Sequence, residues 1–211
     1  KSILSKLNKL DLSSDASEIM NISMLTNAYY PSNNISHEEF LRFKSDWLIK
    51  NSDLNLIEEY LIKNQIFNIQ PELTKHLVDN YLSESNIEKA CEIFSKNLKP
   101  INDEYLSKFN IYCLIHSGKK DEAQLYFDLK KEMGFNDEYF EKKINYLFGY
   151  TSKIDSSISE KNILDFHLAH KTNPDFSFEP KDTTNKIIWK YLSSSKLINS
   201  MQKIEVSEFE K

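Results

Sequence analysis

Between Gln70 and Tyr150 the chain nearly repeats itself. Asn102-Asp103-Glu104-Tyr105-Leu106 recurs as Asn136-Asp137-Glu138-Tyr139-Phe140, and Tyr112 recurs as Tyr146. Ala90 and Phe94 recur as Ala123 and Phe127, 33 residues later. A period of about 33 to 34 residues built from paired helical patterns leaves few architectures open, because each pair must bury its apolar face on the next. It predicts an all-α chain, an α-solenoid of stacked antiparallel helix pairs.

The composition agrees where it can be tested. There are 3 glycines among 211 residues, Gly118, Gly134 and Gly149, and each falls near a helix end or turn. That leaves no material for a phosphate-cradling loop and argues against a β-sandwich. The net charge of -5 lacks the basic footprint of a nucleic-acid binder. Arg42 is the only arginine among the 27 basic residues, so the bidentate fork suited to phosphate and guanine is nearly absent. No apolar run reaches the roughly 18 residues needed to span a bilayer, so no membrane insertion is expected. Cys91 and Cys113 lie in facing helical patterns and read as a reduced, buried pair. The chain begins at Lys1 without methionine and reads as a fragment or processed product, in either the cytoplasm or the periplasm.

Three regions follow. Residues 1–35 hold flanking helices: a short one with Ile3, Leu4, Leu7 and Leu10 on one side, then one from about Ala16 to Tyr29, capped by Ser13-Ser14-Asp15 and stopped at Pro31. Residues 36–150 hold the helical repeats. Ser36 and Glu39 form a capping-box pattern before Phe40, Phe43, Trp47 and Leu48. Leu54 to Leu61 return. Pro71 opens the next helix and Ile87 to Phe94 return. Asn102 and Asn136 are expected caps of the third and fourth first helices. Leu125, Phe127 and Leu129 sit on the return helix between them. Residues 151–211 hold a serine-rich loop, a helix from Ile163 to His170, an extended strap over 172–183, a helix from Thr184 to Ile198, and a charged tail from Gln202. Prolines at both ends of the strap exclude helix, and the alternating Phe176 and Phe178 are placed to pin it.

These units resemble the tetratricopeptide repeat. Leu77, Tyr81, Ala90 and Phe94 stand at that family's spacing, as do Gly118, Ala123 and Phe127. Val78 and Ile111 occupy the place of the family's first-helix glycine, and Ile57 replaces its alanine. The likeness covers about half the chain. It implies an array that binds protein or peptide without catalysis, as in bacterial helical scaffolds. It is similar also to the non-catalytic helical domain of periplasmic lytic transglycosylases, which makes an accessory domain of a larger cell-wall-acting enzyme the alternative.

Arg42, Lys75, Lys108 and Lys142 fall at equivalent points of four successive first helices. In the family that position lines the concave groove. A basic ladder there, with Tyr105 and Tyr112 flanking Lys108 on one helix, would suit an acidic segment or a C-terminal carboxylate, and Lys75 and Lys108 are expected to be exposed. His167 and His170 are three apart on a helix with Asp165 nearby, but no further ligands complete a metal site, and they read as surface or interface histidines. Nothing resembles a nucleophile elbow, and Glu38-Glu39 and Glu58-Glu59 point to different sides of their helices. No cofactor and no catalytic residue is expected.

Overall fold

Apolar residues at three- and four-residue spacing fold as helix throughout the described chain, and no strand forms among the described residues. A computed structural model of the protein describes residues 2–7, 9–26, 29–31, 33–97 and 99–200, the side chains of residues 2, 3, 5, 199 and 200 excepted. The helices are α1 (Ser2–Leu7), α2 (Ser14–Leu25), α3 (His37–Asn51), α4 (Leu54–Asn64), α5 (Pro71–Ser83), α6 (Ile87–Ser95), α7 (Glu104–His116), α8 (Lys120–Glu132), α9 (Glu138–Phe148), α10 (Ile163–Thr172) and α11 (Lys186–Ser194), with a 3₁₀ turn at Leu197–Ser200. The side chain of Ile3 and the tail from Gln202 lie outside the described residues.

Side chains start most of these helices. Ser36 and Glu39 close the expected capping box on α3. Asp53, Asn162 and Asn185 cap α4, α10 and α11. Ser13, within the expected cap Ser13-Ser14-Asp15, accepts from the first turn of α2. Two caps differ from expectation. Asp103 and Asp137, not Asn102 and Asn136, cap α7 and α9, accepting from Leu106 N and Phe140 N. Their carboxylates also place negative charge at the positive end of a helix dipole, which an amide does not. At the other ends, Gly118 and Gly134 adopt φ of 78° and 95°, where an L side chain is strained. α1 is shorter than the spacing of Leu4, Leu7 and Leu10 suggests, since Leu10 already lies in a bend and is exposed.

The chain divides into two compact units, residues 1–78 with 91–110, and residues 79–90 with 111–211. In the first, Trp47, Leu48, Ile57, Leu61, Leu73, Leu77 and Phe109 are buried. Polar groups fix the register of this core. Trp47 Nε1 donates to Asn21 Oδ1 at 2.8 Å, and Asn21 Nδ2 donates to Asn51 O at 3.1 Å, which seats α2 on α3. Ser45 Oγ donates to Gln70 Oε1 at 2.8 Å, and Gln70 Nε2 donates to Tyr60 Oη at 3.1 Å.

In the second unit, Ala90, Ala123, Phe127, Phe140, Ile144, Phe166, Tyr191 and Leu192 are buried. α9 packs on α10, and α10 on α11. The segment between α9 and α10 has no helix, yet it is anchored. Lys143 Nζ donates to the carbonyls of Asp155 and Ser157, and Tyr139 Oη donates to Asp165 O at 3.0 Å. The strap is pinned as expected: Phe176 and Phe178 both meet the Phe166 ring edge-on, with centroids 5.5 and 4.9 Å away. α11 is tied back by Lys190 to Glu84 at 2.8 Å and by Ser194 Oγ to Ser83 O at 2.7 Å.

The cysteines correct the sequence reading. Cys91 and Cys113 are disulfide-bonded, and no free cysteine remains. Burial and helical spacing look the same for a reduced pair and a bridged one, so the pattern alone could not separate them. A cross-link closing a loop of about twenty residues removes unfolded-state entropy worth about 3 kcal/mol. Reduction, or the paired substitution Cys91→Ser with Cys113→Ser, should lower the unfolding free energy by about that amount in a urea titration. An unchanged midpoint after complete reduction would show that the bridge carries no stability.

Candidate functional site

The proposed ladder does not present an open row of cations. Arg42 is exposed, 3.7 Å from Glu38 on the preceding turn. Lys75 is half-buried and doubly engaged, 3.0 Å from Glu72 and 2.9 Å from Asp103, the residue that caps α7. Desolvation lowers its pKa, but hydrogen bonds to Asp103 and Glu72 and their charges outweigh that and hold it above the ordinary lysine value. Lys142 is exposed and paired with Glu138 at 2.7 Å. Lys108 is only 3 % exposed, contrary to its expected place on the surface. Tyr112 is buried too and faces the second unit's core, while Tyr105 is half-buried and stacks edge-on against Phe109. The repeat register that aligns the four cations also carries the glutamates three or four residues before them: Glu38, Glu72, Glu104 and Glu138. That spacing is the ordinary signature of helix-surface ion pairs.

Tyr112 belongs to a buried polar chain. Its hydroxyl lies 2.7 Å from His167 Nε2, His167 Nδ1 lies 2.9 Å from Tyr191 Oη, and His170 Nδ1 lies 2.7 Å from the same hydroxyl. With His167 protonated on Nδ1, Tyr112 donates to Nε2, Nδ1 donates to Tyr191, and Tyr191 donates to His170. This satisfies the chain with both imidazoles neutral. Burial, with Lys171, His170 and His116 nearby, holds the His167 pKa well below its ordinary value. Burial and Lys171 lower that of His170. Burial raises the phenol pKa of both tyrosines. His167 is therefore a core residue, not a surface one, and both its ring nitrogens are taken by protein hydroxyls. No group of three or more His, Cys, Asp or Glu among the described residues could hold a metal ion.

The surface that stands out lies on the return helix on which the sequence places Leu125 and Leu129. On α8 Ala123 and Phe127 are buried, but Leu125, Leu129 and Met133 just beyond it are 73 %, 49 % and 72 % exposed. Four-residue spacing sets these three in one stripe. Tyr126 borders the stripe on one side, with the Lys130 ammonium 5.3 Å from its ring centroid. Asp121, Asp128 and Glu132 fall along the other side, and Gln124 Nε2 donates to both Asp128 carboxylate oxygens at 2.8 Å. Such a surface is chemically suited to docking, since it offers apolar area beside a negative edge. In the first unit, sequence reasoning also passed over Lys44. Its side chain is buried on α3 beside an aromatic-lined cavity. Its position among Phe40, Phe43 and Trp47 is the one signal that could have marked it.

The chain matches no protein-family model, no curated protein and no solved structure.

Two outcomes follow from these environments. Lys108→Glu should cost on the order of 3 kcal/mol or more, because it reverses a charge in a buried position, whereas Arg42→Glu and Lys142→Glu should leave the melting temperature unchanged. Equal effects at all three positions in thermal denaturation would contradict the burial difference. The second concerns pH. The folded chain keeps His167 neutral, so the unfolded chain takes up a proton first as pH falls. The stability from neutral burial is full above a pH of about 6.5 and is lost as pH drops below it toward the depressed folded value. His167→Gln should therefore be less stable than the wild type at neutral pH yet lose less stability between about pH 7 and pH 5. Parallel curves for the two proteins would remove His167 as the titrating group.

Proposed function

We propose that this protein is a non-catalytic helical-repeat scaffold, tetratricopeptide-like and solenoidal in plan, which holds a protein partner against α8. The observation that carries the reading is the exposed stripe of Leu125, Leu129 and Met133 beside an acidic edge. Exposed apolar side chains are ordinary one at a time, but a contiguous row along one helix face marks an interaction surface. The partner that fits is an amphipathic helix laying its apolar face on the stripe, with lysines or arginines along the flank that meets Asp121, Asp128 and Glu132.

Local geometry supports the repeat plan. Ser85 and Gly118, one period apart, both turn the chain with positive φ, 58° and 78°. Each makes the same pair of bonds, Ser85 N to Leu82 O with Asn86 N to Tyr81 O, and Gly118 N to Ile115 O with Lys119 N to Leu114 O. The capping carboxylates Asp103 and Asp137 stand one period apart as well. Ala90 and Ala123 are both fully buried, where a small side chain permits close helix approach.

A second reading has its own support. Disulfides persist in oxidising compartments, so the Cys91–Cys113 bond favours a place outside the reducing cytosol. This suits an accessory helical domain of a larger periplasmic, cell-wall-acting enzyme. Docking through α8 serves either role.

The test is a photo-crosslinking residue at position 129 in the native cell, with the crosslinked segment mapped by mass spectrometry. The expected product carries an apolar helix face flanked by basic residues, and the crosslink is lost when Leu125→Glu and Met133→Glu are introduced together. These positions are exposed, so the doubly substituted protein should melt as the wild type does. Crosslinks that survive the double substitution, or a captured segment without that pattern, would overturn the docking role of α8.

A further inference from the structure

The first unit contains a cavity of about 450 Å³, a volume in the range of small-molecule sites. Phe40 and Leu41 from α3 and Ile66 and Ile69 after α4 give it apolar walls. At its mouth, Tyr30 stacks on His37 with ring centroids 4.4 Å apart. Two donors stand at its polar end, Lys44 and Tyr60.

Lys44 is only 5 % exposed. Its ammonium donates to the carbonyl of Thr26 at 3.0 Å and sits 4.6 Å from the centre of the Tyr60 ring. An ammonium has three N–H donors, so this leaves two of them unspent. Desolvation by burial alone lowers its pKa to about 8, with no carboxylate contributing. Tyr60 is in a matching state. Its oxygen accepts from Gln70 Nε2 at 3.1 Å, and Gln70 is held in turn by Ser45 Oγ at 2.8 Å, so the phenol keeps its own proton to donate. Burial raises the Tyr60 pKa to about 12, which keeps it a neutral donor.

A buried cation with no counter-charge, a neutral hydroxyl donor and aromatic walls in one cavity specify their complement. It is an anion of small, flat head and apolar body. We propose that this cavity binds a monocarboxylate with an aromatic or branched aliphatic body, its head accepting from Lys44 Nζ and Tyr60 Oη and its body lying between Phe40 and the Tyr30–His37 stack. The bound carboxylate supplies the charge partner that Lys44 lacks, and charge-assisted bonds made away from water are the strong ones. Two sources present the same chemistry, a free organic acid and the C-terminal residue of a peptide. The site lies on α3 and α4 and does not depend on the reading of α8.

The probes are 3-phenylpropionate, its primary amide, and the peptide acetyl-Gly-Gly-Phe with a free C-terminus, each titrated calorimetrically into the full chain. Saturable binding of at least one of the two carboxylates is expected, with the amide weaker by about ten-fold or more. Lys44→Met keeps the length of the side chain and removes a buried charge, so it should fold at least as stably as the wild type while losing carboxylate binding by about ten-fold or more. Tyr60→Phe, which keeps the ring under the ammonium and removes only the hydroxyl, should lose less. Tighter binding of the peptide assigns the site to chain termini, and tighter binding of 3-phenylpropionate assigns it to free acids. The proposal is overturned if the acid and its amide bind alike, if Lys44→Met binds the carboxylates as the wild type does, or if neither carboxylate binds up to millimolar concentration.

Discussion

A helix of nine to fifteen residues is marginal in water by itself, and every helix from α2 to α11 is of that length. The whole structure therefore depends on each helix losing one face to a neighbour and having its ends satisfied locally. The capping side chains do the second job, since each accepts from an amide that has no partner inside the helix. Buried alanines serve the first. Ala90 and Ala123 are fully enclosed, where a small side chain permits close helix approach. Neither device stabilises much alone. Acting together at many helices, they let a chain of this composition fold from short helices.

The same economy explains why charge is easy to misread here. Arg42, Lys75 and Lys142 each have a glutamate one helical turn before them and pair with it. The spacing that aligns the cations in sequence also aligns their glutamates, so positive residues that line up in sequence are met as neutral pairs in the structure. Lys75 goes further. It binds the carboxylate that caps α7, so its charge is spent on joining residues of the first unit rather than on a ligand. The disposition of charge, not its count, decides which surface is open to a partner, and on α8 the open charge is negative.

Much of the fold was legible. Period, caps and glycine stops locate the helices within a few residues, and the alternation of Phe176 and Phe178 foretells the pinned strap. What failed did so for one physical reason: spacing defines a face of a helix but not what lies against it. Leu125 and Leu129 have the chemistry of core residues and stand outside it, while Lys108, Lys143 and His167 have the chemistry of surface residues and are buried. The burial of His167 requires hydroxyls from α7 and α11, 55 and 24 residues away, which no local pattern can announce. The oxidation state of Cys91 and Cys113 was hidden likewise, because facing helical positions serve a thiol pair and a disulfide equally well. The candidate pocket was illegible for a further reason. It is made by loop residues Tyr30, Ile66 and Ile69 meeting α3 and α4, and loops carry no period.

The buried lysines show how the same group can be structural in one place and functional in another. Lys143 and Lys44 are both buried, and burial lowers the pKa of each. Around Lys143 the protein answers the desolvated ammonium in full. The Asp155 and Ser157 carbonyls accept from it, and the Asp155 carboxylate lies 3.8 Å away and partly restores its pKa. Those contacts hold an irregular segment in place, and nothing is left for a ligand. Lys44 receives one carbonyl and an aromatic ring, and its remaining donors meet a cavity instead of a loop. Burying an amine while leaving its donors unmatched is costly unless something else completes the set. The cavity that Lys44 lines has room beside the amine for what completes it.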